Sequence, residues 1–230
     1  MSSSNNFLSM YSPLIFQEAD ERLSHKNKKI TPIQILKYLS SETAIPSTED
    51  IKKRYETIAE NANIIFAVPM EFKILNKLIY PLKHAIGSYM MGNALETIAL
   101  CGMVSEMAAV FLFEISKLRI NDKPIKKIAK SMFNKEFEKL GQEQRIRFLH
   151  TLEIIDDEAK EQFVTVKNIR KQYLHFLSKE HEQINPDAKK VFDTTLKLIR
   201  WTLGITIVDG KITLSEDVLN YLKEKNLINK

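Results

Sequence analysis

The stretch Leu95–Ile115, LETIALCGMVSEMAAVFLFEI, decides how this chain folds. Read as a helix it is apolar on nearly all sides, and such a helix has to be surrounded by others. Its length would also suit a bilayer, but Glu106 stands near its middle, where a carboxylate costs about 2.5–3.5 kcal/mol on insertion scales. The stretch is therefore read as the buried central helix of a bundle, with no membrane partner expected. An acid in so apolar a setting needs a partner or a proton. The sequence leaves three partners open for it: Arg170, a backbone group or a lysine.

Working outward, Ile74, Leu75, Leu78, Ile79, Leu82, Ala85 and Ile86 recur at intervals of three and four, which predicts a helix with one core face. Pro81 is expected to kink it, and Gly92-Asn93 to end it and reverse the chain. On the other side, Asn121–Lys139 is basic and broken, with Lys123, Lys126, Lys127, Lys130 and Lys135 forming either a solvated face or a track for phosphates. Helices are then predicted over Gln142–Leu152, Asp156–His175 and Ala188–Leu203, the last capped by Asn185-Pro186-Asp187.

At the N-terminal side, Ser12-Pro13 and Thr31-Pro32 read as the starts of two helices, to about Leu23 and Ser41. Ser47 and Asp50 resemble a capping box ahead of Ile51–Ala62. At the C-terminal side Asp209-Gly210 lies between β-branched residues, a hairpin signal, and Ser215 caps a last helix to about Lys223. The expected organisation is all-α in three parts: an N-terminal helical extension, residues 1–69; a helical bundle, residues 70–203; and a hairpin-and-helix appendage, residues 204–230.

Composition agrees. Six glycines and seven prolines in 230 residues are few, as helices require, and a 44% hydrophobic content supports a buried core rather than wholesale disorder. The net charge of +5 favours polyanionic partners without demanding them. One cysteine, Cys101, makes no intrachain disulfide and suits a reducing cytoplasm. No Cys/His cluster with metal-ligand spacing is present, the start Met-Ser-Ser-Ser-Asn-Asn lacks the regions of a signal peptide, and no cofactor is expected.

Candidate chemistry lies in Val166–Glu182, VKNIRKQYLHFLSKEHE. Arg170 is a permanent cation suited to phosphate, and His175 carries a group that titrates near neutrality. Arg145 and His150, in RIRFLH, repeat the spacing, so spacing alone decides nothing. What distinguishes the first pair is its place before a capped apolar helix.

With Pro81, Ala85, Tyr89, Gly92 and Ala94, then the apolar helix with Glu106, a basic insert, Asn168-Ile169-Arg170 through His175 and the Asn185-Pro186-Asp187-Ala188 helix, the region from Met70 to Leu203 resembles a HEPN domain. It is similar to the HEPN domains of unknown function found in bacteria and phage-defence loci. Active members of that superfamily resemble one another in being metal-independent ribonucleases that work as dimers, with the Arg and His in a cleft between subunits. The resemblance thus implies a toxin-like or defence-associated endoribonuclease with Arg170 and His175 catalytic, RNA as substrate, a homodimer, and room for a protein inhibitor. Lys171 stands where the family often has Asn, Asp or His, and Leu177 where some members carry a modifiable Tyr. The alternative is a non-catalytic helical module that binds RNA, nucleotide or a protein partner.

The chemistry fits those residue types. RNA cleavage without metal uses the 2′-hydroxyl as nucleophile, so an imidazole of pKa about 6.5 can take its proton while a guanidinium fork stabilises charge building on the phosphate. Supporting roles fall to Glu106, as an orienter of Arg170, to Lys171, as an extra cation for RNA, and to Tyr173, as core or a stacking surface for a base. On a straight helix Arg170 and His175 lie about 140° apart. They converge if the helix ends or bends between them, if the Arg reaches around, or if each faces the partner's copy.

Overall fold

The computed structural model describes residues 47–60, 73–116, 119–120, 123–124, 130, 134–175, 182–208 and 211–225. The chain divides into two units, Met1–Pro46 and Ser47–Lys230. All described residues belong to the second, so the helices expected between Ser12 and Ser41 lie outside them.

Seven α-helices are found among the described residues: α1 (Thr48–Glu60), α2 (Lys73–Met90), α3 (Ala94–Ile115), α4 (Gln142–Thr151), α5 (Asp157–His175), α6 (Ile184–Leu203) and α7 (Glu216–Glu224). The class is all-α, with two small antiparallel strand pairs added. One joins β1 (Arg119–Ile120) to β2 (Lys123–Pro124), and the other β3 (Thr206–Val208) to β4 (Lys211–Thr213). The second pair flanks Asp209-Gly210, where a hairpin was expected. Thr206 lies opposite Thr213, and their hydroxyls are 2.7 Å apart.

The central element is α3, as its sequence requires. It packs against α2, α4, α5, α6 and α7, burying Ile98, Val104, Ala108, Ala109, Phe111 and Leu112. By length and composition α3 could also cross a membrane, but 61% of its apolar window is covered by the rest of the fold. Full burial of a side chain such as Leu112 is worth about 1.5–3 kcal/mol, whereas a good cap contributes about 1 kcal/mol. Packing around α3, more than any helix end, therefore sets the architecture.

The helix ends nonetheless follow the sequence closely. At α1 the Asp50 N–H donates to Ser47 Oγ (3.1 Å) and the Ser47 N–H donates to Asp50 Oδ2 (3.3 Å), a reciprocal capping box. Helix α2 runs on through Pro81 to Met90. The reversal after it places Gly92 at φ +78°, a conformation glycine adopts without steric cost. Arg54 of α1 closes this turn: its Nη1 donates to the Met90 carbonyl (3.4 Å) and lies 2.6 Å from where a Cβ on Gly92 would stand.

Within the second unit, α1 packs on α2 and sends Ile58 into the core. Similarly, α7 buries Val218, Tyr221 and Leu222 against the bundle, with Tyr221 edge-on to Phe111, so the C-terminal piece belongs to the same unit. Helix α6 begins at Ile184, with Asn185, Pro186 and Asp187 inside its first turn. A proline is tolerated there because first-turn N–H groups have no intrahelical acceptor.

Candidate functional site

Helix α5 carries the candidate site. It starts where the Asp156 carboxylate accepts the Ala159 N–H (2.7 Å), and acidic Asp157 and Glu158 occupy its first turn, both favourable at a helix N-terminus. Ala159, Phe163, Val166, Ile169 and Tyr173 are buried at the spacing that builds one core face. Lys167, Arg170, Lys171 and Leu174 then share another face of the helix.

From that face Arg170 crosses α3. Its stem passes over Gly102, so closely that a Cβ there would stand 2.0 Å from Arg170 Cδ and 2.8 Å from Nε. One turn further along α3, Glu106 receives the guanidinium through Nη1. Of the three partners left open for Glu106, the structure selects Arg170. The two side chains are 27% and 34% exposed, so the pair sits at the edge of the core with one side toward solvent. Arg170 Nε is buried and has no hydrogen-bond partner among the described residues.

Gly102 is the residue that sequence reasoning missed. A lone glycine in a helix interior costs about 1 kcal/mol relative to alanine, and its presence in an otherwise good helix signals close approach by a neighbour. Its position four residues before Glu106 puts both on one face of α3. The neighbour is Arg170.

The remaining expected residues separate. Tyr173 is 7% exposed and donates its hydroxyl to Asp187 Oδ2 of α6 (2.7 Å). It is a core residue, and a base has no ring face to stack on. Burial, then the hydrogen bond and the charge of Asp187, push its phenol up to about 12. Lys171 is exposed beside the pair. His175 is the last residue of α5, and its side chain lies outside the described residues.

Around the pair, Lys167 binds Glu143 of α4. Lys167 first, with Arg147 and Lys171 adding to it, holds the Glu143 carboxyl below the usual range. Lys167, Arg147 and Lys171 thus act on Glu143 and Arg170 on Glu106, so that basic side chains outnumber acidic ones among these described residues, an excess of positive charge. Such an excess attracts polyanions. Glu106 pairs with Arg170, so any phosphate would have to take the guanidinium's remaining N–H groups or displace the carboxylate.

The second Arg-x4-His pair has a different use. Arg145 Nε donates to the Phe137 carbonyl (3.4 Å) and its Nη2 to the Glu138 carbonyl, which pins the 3₁₀ turn Phe137–Lys139 to α4. His150 Nε2 lies 2.9 Å from Asp157 Oδ1, tying the end of α4 to the start of α5. Arg145 thus braces backbone and His150 links two helices through a side chain. Among the described residues no group of three or more His, Cys, Asp or Glu side chains could hold a metal ion.

Compared with models of known protein families, with curated proteins and with solved structures, the chain matches none.

Proposed function

We propose that this chain is a metal-independent endoribonuclease of HEPN type, toxin-like or defence-associated, acting as a homodimer on RNA. The observation that supports the reading is the placement of Arg170: it is set over Gly102, oriented by Glu106 and flanked by Lys167 and Lys171, five residues before the end of α5 at His175. Arg145, the other candidate, is occupied with backbone carbonyls.

In this reading Arg170 holds a phosphate oxygen and stabilises charge gained during attack by the neighbouring 2′-hydroxyl. Glu106 is a positioning residue that fixes the plane of the guanidinium. His175 takes the 2′-hydroxyl proton, and the partner copy's equivalent histidine protonates the leaving 5′-oxygen. The P–O5′ bond breaks as the 2′-oxygen bonds to phosphorus, and a 2′,3′-cyclic phosphate results.

Incubating the purified chain with mixed-sequence RNA in EDTA tests this. The expected result is fragments ending in 2′,3′-cyclic phosphate, at a rate at least about 100-fold lower for Arg170→Ala and for His175→Ala, the usual size of such losses. Cleavage that survives His175→Ala would remove the assignment.

One observation favours a second reading, a non-catalytic helical module that binds RNA, nucleotide or a protein partner. Arg170 is already committed to Glu106, and its Nε is closed off. RNA binding without cutting, unaffected by His175→Ala, selects this module.

A further inference from the structure

One end of the bundle holds a cavity of about 550 Å³, within the range of small-molecule sites. Three helices finish against it. Ser116 caps α3, Glu153 follows the end of α4, and Trp201 and Thr202 lie in the last turn of α6; Asp217 and Asn220 of α7 complete the wall. None of the residues of the Arg170–Glu106 site lines it.

Among the described residues the charges at this cavity are mainly negative. Each helix C-terminus carries roughly half a negative elementary charge, and three converge here. The start of α7 opposes them, but its own Glu216 and Asp217 answer that charge. Among the described residues, two carboxylates, Glu153 and Asp217, stand on the wall and no basic side chain does. Among the described residues neither carboxylate has an ion-pair partner.

The non-electrostatic part of the wall suits the same occupant. Trp201 is half-buried, and an indole face is the best of the aromatic surfaces for a cation. Thr202 is 2% exposed, and its hydroxyl has no hydrogen-bond partner among the described residues. We propose that this cavity binds a small free organic cation, an amine or quaternary ammonium, with its charged group against the Trp201 indole and beside Glu153 and Asp217.

Trp201 is the only tryptophan in the chain, so its fluorescence reports on this site alone. Tetramethylammonium and, separately, spermidine are titrated into the full chain, with ionic strength held constant by sodium chloride. The expected result is a saturable change with a midpoint below about 1 mM for at least one probe. Glu153→Gln and Asp217→Asn should each shift that midpoint at least tenfold upward while far-UV circular dichroism is unchanged. Each substitution stands alone, so a folding defect in one leaves the other to decide. A linear response to both probes, or a midpoint that neither substitution moves, overturns the proposal. RNA cleavage does not enter the readout, so this result and the nuclease test stand or fall separately.

Discussion

Replacing Gly102 by alanine sets two effects against each other. In an unobstructed helix interior the change stabilises by about 1 kcal/mol, the propensity difference between the two residues. Here the added Cβ would stand 2.0 Å from Arg170 Cδ, far inside the roughly 3.5–4.0 Å at which carbon atoms rest. Arg170 must either stay under strain, at about 1–3 kcal/mol, or swing away and give up a charged hydrogen bond worth about 1.5–3 kcal/mol. Subtracting the propensity gain leaves a net loss of about 0–2 kcal/mol, a Tm lower by up to roughly 8 °C for a chain of this size. In an Arg170→Ala background the obstruction is gone, and Gly102→Ala should be neutral or stabilising by up to about 1 kcal/mol. Urea denaturation of the four proteins, followed by circular dichroism, closes the double-mutant cycle. If Gly102→Ala stabilises the parent protein, or changes stability equally in both backgrounds, the packing of Arg170 over Gly102 is wrong.

Arg145→Ala should lower stability by about 1–3 kcal/mol, since two carbonyls lose a charged donor, yet leave any RNA cleavage by the folded protein within a few-fold of the parent; denaturant curves and a cleavage assay under native conditions separate the two effects. Tyr173→Phe should cost about 1–2 kcal/mol by leaving Asp187 without its hydroxyl donor, measured by thermal unfolding. The raised Tyr173 phenol also has a pH signature. Its contribution is full below the unfolded value near 10 and declines as pH rises toward about 12, so Tm of the parent should fall over that window more steeply than Tm of Tyr173→Phe. Cys101 is fully buried with its thiol pushed up to about 12 by desolvation. At pH 8 it should react with a thiol reagent only as fast as the protein opens, and an immediate stoichiometric reaction in native buffer would contradict this placement.

The apolar pattern of Leu95–Ile115 made the bundle and its central helix legible, because a helix with no polar face has only one kind of place to go. Local signals were equally readable: the Ser47 and Asp50 cap, the Gly92 turn, and the strands on either side of Asp209-Gly210 depend on residues close together in sequence. What the sequence left open was pairing at a distance. Glu106 needed a partner, but 64 residues separate it from Arg170, and nothing local distinguishes that cation from a lysine. Gly102 was passed over for the same reason, since its meaning lies in a side chain from another helix. The start of α6 was placed too late because Asn185-Pro186-Asp187 matches a cap by composition, while Asp187 serves as acceptor for Tyr173. Helix α1 gives little local sign of what it packs on, since its core contribution, Ile58, is a single residue on a polar helix.

The clasp that Arg54 makes on the Met90 carbonyl and the Gly92 turn joins a helix near the start of the described region to the entry of α3. It follows that the bundle has a natural front edge at Ser47. A chain shortened to begin there keeps both the Ser47–Asp50 cap and the clasp. One shortened past Glu60 leaves the Met90 carbonyl to water and uncovers the patch of α2 on which Ile58 sits, so solubility and cooperative melting should be retained by the first truncation and impaired by the second.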